Sequence, residues 1–155
     1  MALQAKEQYT VTPVVVPDKL VAELRAILGA DAVVTAPEAL LTYDSDGSMI
    51  VSHPPQLVVL PKDAGQVATA VRLAVREGLA VVARGAGTGI AGGAVPLCGG
   101  LLISTARMTD ITTVDVRSRL AVVQPGVVNA DLNAHLAPLG YQFAPDPSSQ
   151  RASTI

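Results

Sequence analysis

The clearest pattern of hydrophobic positions lies between residues 56 and 83, where two apolar runs, 56–61 and 79–83, flank an amphipathic stretch. Such uninterrupted runs are typical of strands that are buried on both faces. The residues at helical spacing between them are Val67, Ala70, Val71, Ala74 and Val75. Asp63 and Gln66 have the spacing of a capping box at the start of this helix. The pattern predicts a strand–helix–strand unit of a covered parallel sheet, with a right-handed crossover.

Two helices are predicted ahead of this unit, over residues 18–28 and from Pro37 onward. The first ends at a glycine and has an apolar face made of Leu20, Leu24, Ile27 and Leu28. Residues 1–17 show no useful periodicity. We therefore divide the chain into a helical lead-in, residues 1–53, and a main domain, residues 54–155.

Three further elements are predicted after the second apolar run. Residues 101–104 form a third strand, and residues 111–116 and 120–124 form a hairpin that turns through Arg-Ser-Arg. Asn129 is predicted to cap a short helix. Strands and helices are thus mixed along the chain, which predicts an α/β (α+β) fold.

Composition places the chain among ordinary globular domains. It has 155 residues, 50% of them hydrophobic and 15% charged, which excludes intrinsic disorder. The apolar content comes from 24 Ala and 22 Val, against one Phe and no Trp, as expected for buried strands and closely packed helices. The net charge of −2 and the lack of a basic run argue against nucleic acid as a partner.

The sequence also bears on the cellular compartment. Cys98 is the only cysteine, which excludes an internal disulfide and fits a reducing compartment. The first ten residues lack the basic and apolar regions of a signal peptide. The charge-free stretch 90–106 contains four glycines and a proline, so no membrane-spanning segment is predicted. We expect a cytoplasmic protein, with peripheral association with the inner face of the membrane as the alternative.

A glycine-rich loop follows the second apolar run. Five glycines lie within residues 85–93, and residues 87–92 match G-x-G-x-x-G. A Rossmann loop opens directly into a helix, whereas a proline and a third strand follow here, and no glycine precedes a lysine as in a Walker A motif. Successive glycine N–H groups can form an anion-binding nest, although glycines can also simply turn a tight corner. Five glycines in nine residues favour the phosphates of a dinucleotide.

Arg84 and Asp146 each allow two interpretations. Arg84, at the mouth of the glycine-rich loop, is either a phosphate-binding or loop-organising residue or a solvated charge at a strand end. Asp146, between two prolines, either orients a ligand or shapes a turn. Ser148 and Ser149 lack the strand–turn–helix setting of a nucleophile elbow, which argues against a serine hydrolase.

No metal site is predicted. His53 lies beside two prolines and His135 lies within a helical pattern, and neither has Cys, Asp or Glu at ligand spacing. Asp44, Asp46 and Gly47 match part of a calcium-binding loop but lack its remaining ligands. We interpret these three residues as a turn.

Four motifs occur in a characteristic order. They are PPQLVVLPKDAGQV (54–67), ARGAGTGIAGGAV (83–95), VVQPGV (122–127) and APDPSSQRASTI (144–155). This set resembles the FAD-binding domain of the vanillyl-alcohol oxidase/p-cresol methylhydroxylase (PCMH-type) family. Within that family it is most similar to the group of glycolate oxidase flavin subunits and D-lactate dehydrogenases.

The resemblance implies a fold of two subdomains with FAD between them. The first subdomain is a small parallel β–α–β layer, and the second is a larger antiparallel sheet. The family continues after its Ser-Thr-Ile motif, so residues 54–155 would be a PCMH-type domain that is truncated at its C-terminal side and holds only the start of the second subdomain. We expect this chain alone to be inactive.

The resemblance also implies three groups of residues that contact FAD. The pyrophosphate would be held by the backbone of Arg84, Gly85, Ala86, Gly87, Thr88 and Gly89. The cofactor cleft would be lined by Gln124, Pro125 and Gly126. The flavin or its ribityl chain would lie against Pro145, Asp146, Pro147, Ser148, Ser149 and Ser153. Some relatives attach FAD to a histidine at the position of Thr88, so we expect non-covalent FAD here.

The function that the resemblance implies is oxidation of a small 2-hydroxy acid, glycolate or D-lactate, by hydride transfer to flavin. The family draws its catalytic groups from outside the matching residues, so none is assigned. The expected partners are the hydroxy acid and other subunits of a glycolate oxidase-like complex. The alternative is a non-catalytic flavin- or nucleotide-binding module. A Rossmann-type nicotinamide enzyme ranks below both, because a strand follows the glycine-rich loop.

Overall fold

A four-stranded sheet with helices packed on it forms the larger part of the protein, and a two-stranded sheet with one helix forms the rest. The computed structural model describes residues 14–155. The helices are α1 (Asp18–Leu28), α2 (Pro37–Leu40), α3 (Ala64–Arg76) and α4 (Asn129–Leu136). The strands are β1 (Val33–Val34), β2 (Leu57–Val59), β3 (Val81–Arg84), β4 (Leu101–Ser104), β5 (Ile111–Asp115) and β6 (Leu120–Val123). No helix within the described range is long and apolar enough to cross a membrane.

The larger sheet has the order β1–β2–β4–β3, with β2, β4 and β3 parallel and β1 antiparallel to β2. This confirms the predicted α/β fold with a parallel sheet. The two strands joined by α3 are not neighbours, however, because β4 lies between them and pairs with both. All four residues of β4 are buried, so the most apolar strand takes the centre of the sheet.

The prediction that both apolar runs are covered on two faces is right for β2 and wrong for β3. All residues of β2 are buried, whereas β3 alternates between exposed and half-buried positions. The physical reason is its place at the edge of the sheet as described, where only β4 pairs with it.

The main core is formed between α1, α3 and one face of the larger sheet. Its buried residues include Leu20, Leu24, Leu28, Val33, Leu57, Val59, Ala70, Ala74, Leu101 and Ile103. The lead-in therefore shares one core with the residues after position 54, and the boundary at residue 53 stays a prediction. Ile27 and Val75, predicted on the buried faces of α1 and α3, are 43% and 65% exposed, because each lies at the solvent edge of its stripe.

The start of α3 confirms the predicted cap. Asp63 Oδ1 accepts a hydrogen bond from Gln66 N at 2.9 Å. Gln66 Oε1 in turn accepts from Lys62 N at 2.8 Å, one residue earlier than in a standard capping box. Gly78 follows the helix with φ +72°, a conformation that favours glycine.

The smaller unit consists of the predicted hairpin, β5 with β6, and the helix α4. Val127, Leu132 and Leu136 are buried there against the hairpin. The prediction that Asn129 caps α4 is wrong, because Asn129 is already the first helical residue. Its side chain instead donates to Pro145 O at 3.2 Å, which ties the C-terminal segment to the helix.

Candidate functional site

The glycine-rich loop begins where β3 ends, at Arg84. The neighbouring strand β4 ends at Ser104, and Thr105 N donates to Arg84 O at 2.9 Å. The loop therefore lies at the carboxyl ends of two adjacent parallel strands. In open α/β sheets this edge is where ligands bind.

The backbone of the loop presents free hydrogen-bond donors. Within residues 14–155, none of the N–H groups of residues 86–91 donates a hydrogen bond to another residue. Gly87 has φ +73°, and the Arg84 guanidinium occupies the space that a side chain at Gly87 would need. A run of unpaired N–H groups around a glycine with positive φ is suited to hold an anion.

Arg84 is engaged by the protein itself. Its Nη1 donates to Ser45 O at 2.6 Å, and Cζ lies 5.9 Å from the centroid of the Tyr43 ring. The other terminal nitrogen, Nη2, lies against Gly87. These contacts favour the loop-organising interpretation of Arg84 over a solvated charge, and they place positive charge beside the loop.

A short segment, Ser45–Ser48, lies against the glycine-rich loop, and we call it the brace. Gly47 N donates to Gly89 O at 2.8 Å. Asp46 is only 5% exposed, and its Oδ2 accepts from Gly92 N at 2.7 Å. Its Oδ1 accepts from Ser48 N at 3.0 Å and from Ser48 Oγ at 2.6 Å. The Ser48 hydrogen bonds are the main cause that holds the pKa of Asp46 below its usual value.

Sequence reasoning found the turn at Asp46 but missed the contact with the loop. The Asp-x-Ser pattern predicts a turn, because the carboxylate accepts from the N–H two residues on. The contact with Gly92 joins residues far apart in the chain. The one signal in the sequence was that Asp44 and Asp46 precede the glycine-rich loop in the chain. That signal does not show which backbone group either carboxylate would bind.

The predicted residues Gln124, Pro125 and Gly126 connect the two sheets. Gln124 Oε1 accepts from Asp110 N at 2.9 Å, and its Nε2 donates to Lys62 O at 3.2 Å. Gly126 is buried, its N donates to Met108 O at 2.8 Å, and a side chain there would collide with Thr105 O. The segment thus packs at the end of β4, next to the root of the glycine-rich loop.

The C-terminal segment also contacts the start of the glycine-rich loop. Thr154 forms an antiparallel bridge with Val128 and lies in contact with Gly85. The hydroxyl of Ser153 is buried and has no hydrogen-bond partner among the residues that the structure describes. A buried hydroxyl without a partner is costly unless a ligand supplies one.

The remaining predicted residues, Pro145 to Ser149, form a turn beyond α4. Pro145, Asp146 and Ser148 are exposed, and the Ala144–Pro145 peptide is cis. No hydrogen bond among the described residues joins this turn to the glycine-rich loop. Asp146 likewise makes no side-chain hydrogen bond within residues 14–155, and both interpretations of it stay open.

Asp46 contacts the loop, but the part of the chain that the structure describes forms no metal-binding cluster around it. Within residues 14–155, no three His, Cys, Asp or Glu side chains are close enough to hold a metal ion. His53 Nδ1 lies 3.2 Å from Pro54 O, and His135 is exposed in the last turn of α4. The free donors at the loop are the backbone N–H groups of residues 86–91, which suit an anionic ligand.

A parallel sheet with a loop suited to an anion at its carboxyl edge, joined to an antiparallel hairpin, is an arrangement typical of nucleotide-binding domains. The chain belongs to a family of FAD binding domains, whose model matches residues 55–155. It is 43% identical over 118 residues to the glycolate oxidase subunit GlcD of Escherichia coli, covering 76% of this chain and 24% of that protein. It is 34% identical over 97 residues to a D-lactate dehydrogenase of Archaeoglobus fulgidus, covering 63% of this chain and 22% of that protein. The chain thus spans less than a third of the length of these relatives.

Solved structures show the same fold. An alkyldihydroxyacetonephosphate synthase superposes with a TM-score of 0.80 at 28% identity, over 98% of this chain and 33% of that one. A p-cresol methylhydroxylase superposes with a TM-score of 0.72 at 23% identity, over 83% of this chain and 26% of that one. The predicted PCMH-type FAD-binding fold is confirmed, and with it the resemblance on which it was based.

Proposed function

We propose that this chain forms part of the FAD site of an oxidoreductase that oxidises a small 2-hydroxy acid, glycolate or D-lactate. The observation that carries the proposal is the run of unpaired N–H groups at residues 86–91, at the carboxyl edge of a parallel sheet. The family match supports FAD as the ligand of this loop. The names of the relatives, glycolate oxidase and D-lactate dehydrogenase, supply the class of substrate.

The residues at the site fit FAD. The pyrophosphate carries negative charge, and the N–H groups of Ala86, Gly87, Thr88 and Gly89 would hold it, with Arg84 adding positive charge beside the loop. Ser153 Oγ would donate to a polar group of the cofactor and so gain the partner it lacks. The segments 124–126 and 145–149 would line the rest of the cleft. When bound, FAD supplies the two-electron redox chemistry, and the protein positions it.

FAD would be held without a covalent bond. Thr88 occupies the place in the glycine motif where some relatives carry the histidine that is linked to FAD. A threonine hydroxyl is a far weaker nucleophile than an imidazole or a thiolate. Phosphate contacts and burial would therefore supply the affinity.

Oxidation of the hydroxy acid removes a hydride from its α-carbon and a proton from its hydroxyl group. FAD bound at this site would be the acceptor of the hydride, and the proton would need a general base. We assign neither this base nor a carboxylate-binding residue to the chain, whose part is to bind and orient the cofactor. Other subunits of a glycolate oxidase-like complex are proposed partners, since a relative is named as a subunit. We propose a cytoplasmic location, with peripheral association with the inner face of the membrane as the alternative.

The test is an anaerobic titration of the native protein. Glycolate and D-lactate are added separately, and the loss of oxidised-flavin absorbance is followed. We expect one or both to reduce the flavin, with ethanol, an alcohol without a carboxylate, as the control that does not. Bound flavin that no 2-hydroxy acid reduces would favour a non-catalytic flavin-binding module instead. A protein that binds no flavin would contradict both.

A further inference from the structure

Asp46 places a buried negative charge next to a loop that is suited to bind an anion. Its Oδ2 is 2.7 Å from Gly92 N, and Gly92 directly follows the unpaired N–H groups of residues 86–91. By Coulomb's law a carboxylate beside a phosphate site weakens anion binding. We therefore expect Asp46 to have a structural effect that offsets this weakening of anion binding.

The brace forms hydrogen bonds at three positions, one just before the loop and two within it. Ser45 O accepts from Arg84 before the loop, Gly47 N donates to Gly89 O in its middle, and Asp46 accepts from Gly92 N near its end. Three consecutive brace residues thus hold three points spread along the loop.

These contacts also set the direction of the free N–H groups. In a trans peptide the C=O group and the following N–H group point to opposite sides. Since Gly89 O faces Gly47 N, the N–H of Ile90 points away from the brace. Thr88 O also packs against Gly47, 2.8 Å from where a Cβ would lie, so the N–H of Gly89 points away too. Docking these two carbonyls on the brace therefore leaves the N–H groups of Gly89 and Ile90 on the side that faces away from it.

A carboxylate is the group that this position requires. Asp46 accepts three hydrogen bonds, two at Oδ1 from Ser48 and one at Oδ2 from Gly92. Asparagine has one acceptor oxygen and an NH₂ group, so it cannot accept from Ser48 and from Gly92 on separate atoms. In Asp46→Asn the NH₂ group would therefore face either Ser48 N–H or Gly92 N–H, so that two donors oppose each other.

We propose that Asp46 is a positioning residue for the phosphates of FAD, acting through Gly92 and never touching the ligand. This inference rests on the proposed FAD site. Asp46 fixes the glycine-rich loop in the form whose N–H groups are free, so that the loop does not have to be ordered when the cofactor binds.

Charge and position make opposite predictions for Asp46→Asn. If only its charge mattered, the variant would bind FAD more tightly. If position matters, the variant binds FAD more weakly, by about tenfold or more, because a hydrogen bond to a charged group is lost from the loop. Raised salt screens a charge effect but leaves a positioning effect largely in place.

Asp44→Asn is the matched control. It removes the same charge two residues away, and Asp44 Oδ2 accepts from Ser52 Oγ at 2.6 Å, with no hydrogen bond to the loop among the described residues. Both carboxylates lie in the field of Arg84, which adds to the larger effect of their serine hydrogen bonds in lowering the pKa of each. We expect Asp44→Asn to change FAD affinity by no more than about twofold.

The experiment measures FAD dissociation constants of the native protein by quenching of flavin fluorescence, for wild type and both variants, at low and raised salt. Hydrogen exchange of the Gly92 amide is followed without FAD. We expect Asp46→Asn alone to weaken FAD binding at both salt concentrations and to speed this exchange. If Asp46→Asn fails to fold, Ser48→Ala keeps the charge, removes the 2.6 Å contact, and should weaken FAD binding to a smaller degree.

Equal or tighter FAD binding by Asp46→Asn would overturn the proposal, and so would equal weakening by Asp46→Asn and Asp44→Asn. Unchanged Gly92 exchange in Asp46→Asn would overturn it as well. Wild-type protein that binds no FAD would instead contradict the proposed function, and Gly92 exchange would still decide whether Asp46 orders the loop.

Discussion

Gly85 and Thr154 are in direct contact, and the Thr154 hydroxyl occupies the space that a side chain at residue 85 would need. Thr154 is held in place by its bridge to Val128, and Ile155 N donates to Val127 O at 3.0 Å. The contact joins the first residue of the glycine-rich loop to the last sequence motif. Two motifs that are distant in the chain therefore form one continuous surface.

Gly85→Ala should destabilise this junction, and Thr154→Ala should relieve the effect. The added methyl group meets the threonine hydroxyl, and overpacking of this kind costs about 1–3 kcal/mol in the free energy of unfolding. Removing the hydroxyl opens the required space, so the double variant should be more stable than the sum of the single effects allows. Urea unfolding of the four proteins measures this coupling. Strictly additive effects would show that the two residues do not share a contact.

Three glycines of the loop should respond differently to substitution. Gly87→Val should weaken FAD binding and perturb the unliganded loop, because Gly87 has φ +73° and packs against Arg84. Gly89 has ordinary φ and open space, so Gly89→Ala should leave the apo fold intact and weaken FAD binding only, since a methyl group blocks close approach of a phosphate.

Gly93→Ala is the control for this series, because it also has ordinary φ and open space and lies outside residues 84–89, the segment proposed to hold the pyrophosphate. Titration of flavin fluorescence and thermal unfolding separate the two effects. Unchanged affinity in both Gly87→Val and Gly89→Ala would remove the loop from the cofactor site.

Local patterns predicted the elements, whereas distant pairings escaped prediction. The cap at Asp63 and the hairpin follow from residues a few positions apart, and both are observed. β1 has only two residues, and its pairing with β2 has no local signal. The position of β4 between β2 and β3 also has no local signal. It depends on how the burial of each strand compares with that of the others in the assembled sheet.

At the candidate site, too, local features could be predicted from the sequence and contacts between distant segments could not. The glycines and the backbone donors could be identified from spacing, because the requirement for positive φ or close approach appears as residue type. The roles of Asp46 and Asn129 could not, since each side chain binds a backbone group of a distant segment. An Asp or Asn near a turn fits a local hydrogen bond equally well.

The contribution of Asp46 to stability should depend on pH in one direction. Hydrogen bonds from Ser48, then from Gly92 N–H, together with the charge of Arg84, hold the pKa of Asp46 below its ordinary value of 3.8. A carboxyl with a lowered folded-state pKa stabilises the protein above the unfolded value, and this effect is lost as the pH falls through the folded value. The difference in free energy of unfolding between wild type and Asp46→Asn should be constant above about pH 5 and shrink below it. A difference that grows on acidification would contradict the assigned contacts.

Acid precipitation should release the cofactor. The native holoprotein is denatured with acid, and flavin is measured in the supernatant and the pellet. Because Thr88 offers no imidazole or thiolate, we expect the flavin in the supernatant. Flavin that stays with the pellet after repeated washing would show a covalent bond and contradict the proposed mode of binding.

The exposed edge beside β3 should promote self-association of the 155-residue chain. Between α3 and this edge lies an open groove with a volume of about 480 Å³, lined almost entirely by apolar atoms of residues that include Val67, Val71, Val81, Ala83, Ile103 and Met108. Within residues 14–155 no other strand pairs with the free side of β3. Unpaired edges and contiguous apolar surface both favour association.

Val81→Lys tests the role of this groove. Val81 is 37% exposed within the groove, and a lysine there introduces a charge at the strand edge, which opposes edge-to-edge pairing. Val75→Lys makes the same change at a site on α3 that is 65% exposed and outside the groove. Sedimentation velocity over a range of concentrations should show association for wild type and Val75→Lys, and a shift toward monomer for Val81→Lys. A wild-type chain that stays monomeric at high concentration, or two lysine variants that behave alike, would rule out the groove as the cause.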